Sequence, residues 1–99
     1  MDSNGYIPSI LQADTDVCYL CGRSHEKLDR HEVYGGALRQ KSKRLGLWVT
    51  LCHSTCHLNG VHRHGDIALW LKEKAQKEAM EYYGWTVEDF RKEFYKSYI

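Results

Sequence analysis

The sequence lacks any apolar run long enough to cross a bilayer, any internal repeat and any low-complexity tract. These absences argue against a helical membrane span and a repeat architecture. The opening residues carry Asp2 and no apolar stretch. No secretory signal is therefore expected, and the thiols are expected to stay reduced in a cytoplasmic setting. A strong net charge is also missing: 14 Lys and Arg stand against 13 Asp and Glu, giving +1. Total charge thus says little about partners. Cysteine and histidine are absent outside residues 18–64, and proline occurs once, as Pro8. Ninety-nine residues make one small domain. An apolar core is marginal at that size, and a metal staple is a normal remedy.

What is present concentrates in that window. Cys18 and Cys21 form a C-x2-C pair, and Cys52 and Cys56 form a C-x3-C pair. Each pair is short enough for a tight turn to aim two thiolates at one point, and Gly22 follows the first pair as such a turn requires. Tetrahedral Zn2+ takes four such ligands from two pairs. Two disulfides would need an oxidising compartment. A redox C-x-x-C would normally open a helix, which Gly22-Arg-Ser-His does not resemble. Structural zinc is the expected use. The loop of about thirty residues between the pairs must itself hold structure, because a short zinc ribbon needs less.

All six histidines share the window: His25, His31, His53, His57, His62 and His64. On a regular helix His57 and His62 would face directions roughly 140° apart. They can share an ion only if that turn is irregular, which Asn59-Gly60 favours. A second, open metal site is expected there. Imidazole suits Mn, Ni or Zn, carboxylate suits Mg or Mn, and an open position lets the ion act on a phosphate. His25, His53 and His64 are read as surface residues or local hydrogen-bond partners.

Charge is uneven along the chain. Residues 1–17 carry three acids and no base, residues 18–64 carry eight bases against three acids, and residues 65–99 carry six against seven. Residues 1–16 read as an irregular leader, packed through Tyr6, Ile7, Ile10 and Leu11. Leu28 to Tyr34 reads as a strand ended by Gly35-Gly36, and residues 47–51 as a second strand. Residues 37–45 hold four bases and no acid, as a short helix or a loop. A helix is expected from about Asp66, its cap, to Gly84. Its inner stripe is Ile67, Leu71, Ala75, Ala79 and Tyr82 or Tyr83, with Glu73–Lys77 and Lys74–Glu78 outside. Thr86 and Asp89 then form a capping box for a last helix with Val87, Phe90, Phe94 and Tyr98 inward. Trp70, Trp85, Phe90 and Phe94 are expected in the core.

The order Cys18-x2-Cys21, His31-Glu32-Val33, an apolar strand Leu47–Leu51, then Cys52-x3-Cys56-His57 resembles the zinc-stapled HNH endonucleases. The stretch His-Glu-Val-Tyr-Gly-Gly, Arg39 and Ser42 after it, and the ending Phe-Tyr-Lys-Ser-Tyr-Ile are similar to small phage and prophage HNH-like proteins. The resemblance covers residues 17–99. It implies an α+β, ββα-metal (treble-clef-like) HNH module with C-terminal helices. It also implies metal-dependent DNA cleavage in phage or prophage recombination or DNA processing, in a bacterial cytoplasm. Structural Zn2+ would sit on Cys18, Cys21, Cys52 and Cys56. A catalytic divalent ion, Mg2+, Mn2+ or similar, would sit on His31 and His57 with His62. The family's general base falls on Glu32, where the family usually has histidine. The alternative makes Glu32 a ligand and His31 the base. The family's asparagine has no counterpart, and Ser42 or a backbone group is its expected substitute. Arg39, Lys41, Lys43 and Arg44 would contact the DNA backbone; their other reading is a solvated charged face. A homodimer or a phage protein is a further possible partner. Two other functions fit the same residues: a zinc DNA-binding module without catalysis, and a protein-interaction adaptor.

Overall fold

The protein, seen here in a computed structural model, is described over residues 2–99. Strand β1 (Leu28–Glu32) pairs antiparallel with β2 (Trp48–Cys52), His31 lying opposite Val49 and Glu32 opposite Trp48. Between them a 3-10 turn, Gly36–Leu38, leads into helix α1 (Arg39–Leu45). A π-helical segment, His53–Val61, follows β2 directly, and helices α2 (Gly65–Tyr83) and α3 (Val87–Phe94) complete the chain. The fold is a small α+β domain built on one two-stranded sheet. No described helix is long and apolar enough to cross a membrane.

Alternation along paired strands sends Asp29, His31, Val49 and Leu51 to one face of the sheet and Leu28, Arg30, Glu32, Trp48, Thr50 and Cys52 to the other. Every residue of β2 is buried, so both faces are covered. The leader, irregular as expected, covers the second face. The Trp48 indole N–H donates to the Ile7 carbonyl at 2.8 Å, and the Ser9 hydroxyl donates to the Trp48 carbonyl at 2.6 Å. The Thr50 N–H donates to the Gln12 side-chain oxygen at 2.9 Å. Tyr6 meets Trp48 edge-on at 5.2 Å, and the Arg30 guanidinium lies 4.4 Å over the Tyr6 ring. Such a cation over an aromatic face adds about 0.5–1 kcal/mol at a partly exposed site.

Gly46 allows this close approach. It ends α1 in the left-handed region, at φ 73°, and a methyl group there would lie 2.7 Å from the Pro8 carbonyl oxygen. Gly46→Ala is expected to cost roughly 1–3 kcal/mol, from backbone strain and from prising the leader off the sheet. A urea titration reads this directly, and an unchanged midpoint would show that the leader does not brace the sheet.

The core contains Tyr34, Leu47, Val49, Leu51, Leu71, Ala75, Ala79, Phe90 and Phe94. Leu71, Ala75 and Ala79 are the inward row of α2, as the spacing predicts. Tyr34 packs against Phe94 at 4.5 Å and Tyr98 at 5.4 Å, and its hydroxyl donates to the Lys72 carbonyl at 2.6 Å. Helix α3 opens with the predicted capping box: the Asp89 N–H donates to Thr86 Oγ1, and the Thr86 N–H donates to the Asp89 carboxylate. Gly84 ends α2 in the left-handed region, at φ 68°. Lys74 and Glu78 meet at 3.2 Å on the outer face of α2.

Three expectations are corrected. Trp70 is 48 % exposed, because it lies one residue before Leu71 and so about 100° round the helix from the inward row. Asp66 does not cap α2; His64 holds that position without a side-chain bond, and Asp66 sits inside the first turn, where its charge favours the positive helix end. Tyr98 reaches the core from the tail rather than from α3, which stops at Tyr95 with φ 69°. Buried Gln76 fixes that tail by accepting the Tyr98 N–H at 2.6 Å and donating to Ser97 Oγ at 2.9 Å.

Candidate metal centre

The two cysteine pairs meet at one end of the sheet. Cys52 closes β2 opposite Leu28, the first residue of β1. Cys18 and Cys21 lie on a turn tied to the sheet by the Tyr19 N–H, which donates to the Thr50 carbonyl at 2.8 Å. Within that turn the Gly22 N–H donates to the Cys18 carbonyl at 2.8 Å, and the Cys21 N–H points at Cys18 Sγ at 3.4 Å. Gly22 takes φ 73° to allow it.

All four sulfurs lie within 4.8 Å of one another. Cys21 and Cys52 approach to 3.3 Å, well beyond the roughly 2.05 Å of a disulfide. Thiolates about 2.3 Å from a tetrahedral ion would stand about 3.8 Å apart, so the set suits one ion. Its electrostatics agree. The Arg23 backbone N–H, followed by the Cys52 thiol, pulls Cys21 down to about 6. Burial and neighbouring sulfurs push Cys52 up to about 12 and raise Cys56. Four thiolates at this point need a cation among them. These four cysteines can hold a structural metal ion.

A second cluster forms near the end of β1. His31, His57 and His62 each offer a ring nitrogen, all within 4.8 Å of one another. His57 and His62 converge because the segment after β2 is wound wide. The His62 N–H donates to the carbonyl of His57 at 3.1 Å, five residues back. That spacing defines a π-turn, and it brings residue i+5 almost over residue i. The two Nε2 atoms lie 3.0 Å apart. Burial, then the adjacent His57 and His62, push His31 down to about 4, so its imidazole is neutral and has a free lone pair across the physiological range. Three imidazoles from one side leave other coordination positions open.

The cluster opens into a cleft of about 330 Å3 lined by Arg30, His31, Glu32, Gly35, Gly36, Arg39, His57 and His62. Glu32 is held there by Arg39, whose Nε donates to Oε1 at 2.8 Å. The loop after β1 is fixed by Ser42, wholly buried. Its hydroxyl donates to the Tyr34 carbonyl at 2.8 Å and accepts the Tyr34 N–H at 3.2 Å. No protein-family model, curated protein or solved structure matches the chain.

The other basic residues of α1 spread out. Lys41 donates to the Glu93 carbonyl at 2.6 Å, and Lys43 donates to the Asn4 carbonyl at 3.3 Å. Only Arg39 of this group lines the cleft, where Arg30 joins it. His25 stands beside Glu26 at 3.3 Å, and His64 is exposed at the start of α2. Sequence reasoning missed two acids. Glu26 accepts the N–H groups of Ser54 and Thr55 and so anchors the start of the π-helical segment. Asp29 Oδ2 accepts from Nδ1 of both His53, at 2.6 Å, and His57, at 2.9 Å. A signal for Asp29 existed: it precedes His31 by two residues on a strand, and so shares its face.

Proposed function

We propose that the protein is a metal-dependent DNA endonuclease of the HNH type, a ββα-metal module whose treble-clef-like end is stapled by Zn2+ on Cys18, Cys21, Cys52 and Cys56. One observation carries this reading. Three imidazoles, from β1, the π-helical segment and the residue just after it, converge in a cleft that also holds a carboxylate and two guanidinium groups, and four cysteines converge in a cluster of their own. A divalent ion on His31, His57 and His62 would supply Lewis-acid stabilisation of the phosphate charge. Arg30 and Arg39 draw the phosphodiester into the cleft. Glu32 accepts the proton of the attacking water as the bond from phosphorus to the leaving oxygen breaks. His31 fits the ligand role better than the base role, because its ring faces the other two imidazoles while Glu32 stands apart with Arg39. Ser42, bonded to the Tyr34 backbone, supports the loop after β1 and is the substitute we propose for the family's asparagine, which has no counterpart here. Phage or prophage DNA processing in a bacterial cytoplasm remains the setting that the resemblance implies.

A supercoiled plasmid tests the reading. Nicking is expected with Mn2+, Ni2+ or Mg2+ and none in chelator. The Glu32–Arg39 pair favours a second reading, a DNA-binding module without catalysis, because the guanidinium already occupies a carboxylate oxygen that would have to accept the proton. Salt-dependent retention of DNA with no nicking under any ion would select it.

A further inference from the structure

We infer that Asp29 is a positioning residue for the three-histidine site: it holds the His57 ring in the tautomer and orientation that a bound cation needs. This rests on the reading that His31, His57 and His62 hold an ion. The Asp29 carboxylate, 18 % exposed, sits 2.9 Å from His57 Nδ1. Its face of β1 is the face of His31. A carboxylate oxygen accepts, so Nδ1 of His57 carries the proton and Nε2 carries the lone pair. That Nε2 is the atom 3.0 Å from Nε2 of His62, on the side where the cluster converges.

His53 supports the arrangement from outside. Its ring is 43 % exposed, and its Nδ1 meets the same oxygen, Asp29 Oδ2, at 2.6 Å. Two imidazole donors therefore fix the carboxylate between them. His53 and His57 lie four residues apart on a segment wound with a wide turn, so one oxygen can reach both. Each ring donates from its Nδ1–H. In the metal-free pair His57 Nε2 accepts from His62 Nε2–H. A cation would take the place of that hydrogen bond, with His62 moving its proton to Nδ1.

An aspartate behind a ligating histidine fixes ring geometry and raises ligand basicity, and its loss typically weakens metal binding about 10- to 100-fold. The test uses the full chain with its cysteine cluster loaded with Zn2+, titrated with Co2+ by calorimetry and visible absorption. His57→Ala marks which binding event belongs to the histidines. In Asp29→Asn and Asp29→Ala, Co2+ affinity at that site is expected to fall about 10- to 100-fold, with one Zn2+ and a wild-type far-ultraviolet spectrum retained. Nitrogen-15 spectra of the metal-free wild type should show His57 protonated at Nδ1, with mixed tautomers in Asp29→Ala. Unchanged Co2+ affinity in both variants, or His57 protonated at Nε2 in the wild type, overturns the inference and leaves the three-histidine site standing. A wild type that binds no Co2+ beyond the cysteine cluster overturns both.

Discussion

Chelation at neutral pH is expected to unfold the domain. The four cysteines join three separate parts of the chain at one point. Cys18 and Cys21 belong to the turn after the leader, Cys52 ends β2, and Cys56 lies inside the segment that carries His57. Without an ion, buried thiols would replace the cross-link, and Cys52, wholly buried, would gain no strong partner. The magnitudes decide the outcome. Structural Zn2+ contributes about 10–16 kcal/mol in small zinc domains, while a domain of this size has about 5–15 kcal/mol in total. The apolar core cannot offset a loss of that size. Protons compete with the ion for thiolates, so stability should fall as pH drops and hold as pH rises toward neutrality. Cys21→Ser should behave like the chelated protein, with lost far-ultraviolet signal and no cooperative melt. Cys21 is the least buried of the four, so the serine itself disturbs packing little. A sharp, native-like melt for Cys21→Ser, or for protein stripped of metal, would defeat the staple.

Features with short-range causes were legible in the sequence. The cysteine pairs could be read because each is a turn-sized unit, and the Thr86–Asp89 box because it lies within three residues. The strand Trp48–Cys52 showed no alternation, which fits burial on both faces, but the sequence could not say that the leader supplies the second cover. Those bonds run from Ile7, Ser9 and Gln12 across some forty residues. The convergence of His57 and His62 could be anticipated only as a departure from 3.6 residues per turn, since the regular period separates them. Asp29 was hidden for another reason: its partners, His53 and His57, are more than twenty residues away. Trp70 shows the limit of reading a helix by hydrophobicity alone, as an aromatic beside the inward row need not be inside.

His57→Ala is expected to fold, keep one Zn2+ and lose nicking. Residue 57 follows Cys56 but contributes nothing to the sulfur cluster, and its ring is 15 % exposed. Truncation removes the hydrogen bond to Asp29, which still keeps its bond from His53 at 2.6 Å. No buried acid is left without a partner, so the stability cost should be about 1–2 kcal/mol. Activity should respond quite differently. Removing one of three imidazoles leaves too few protein ligands to hold a divalent ion in a fixed position, and stabilisation of charge on the phosphate depends on that position. A fall in nicking of at least about 100-fold is expected, not restored by excess Mn2+. His53→Ala provides the contrast: its ring touches the same carboxylate from outside the cluster, and most of the nicking should survive. Full activity in His57→Ala would break the link between the histidine cluster and cleavage, while equal losses in both variants would place the effect in the scaffold around Asp29 and not at the ion.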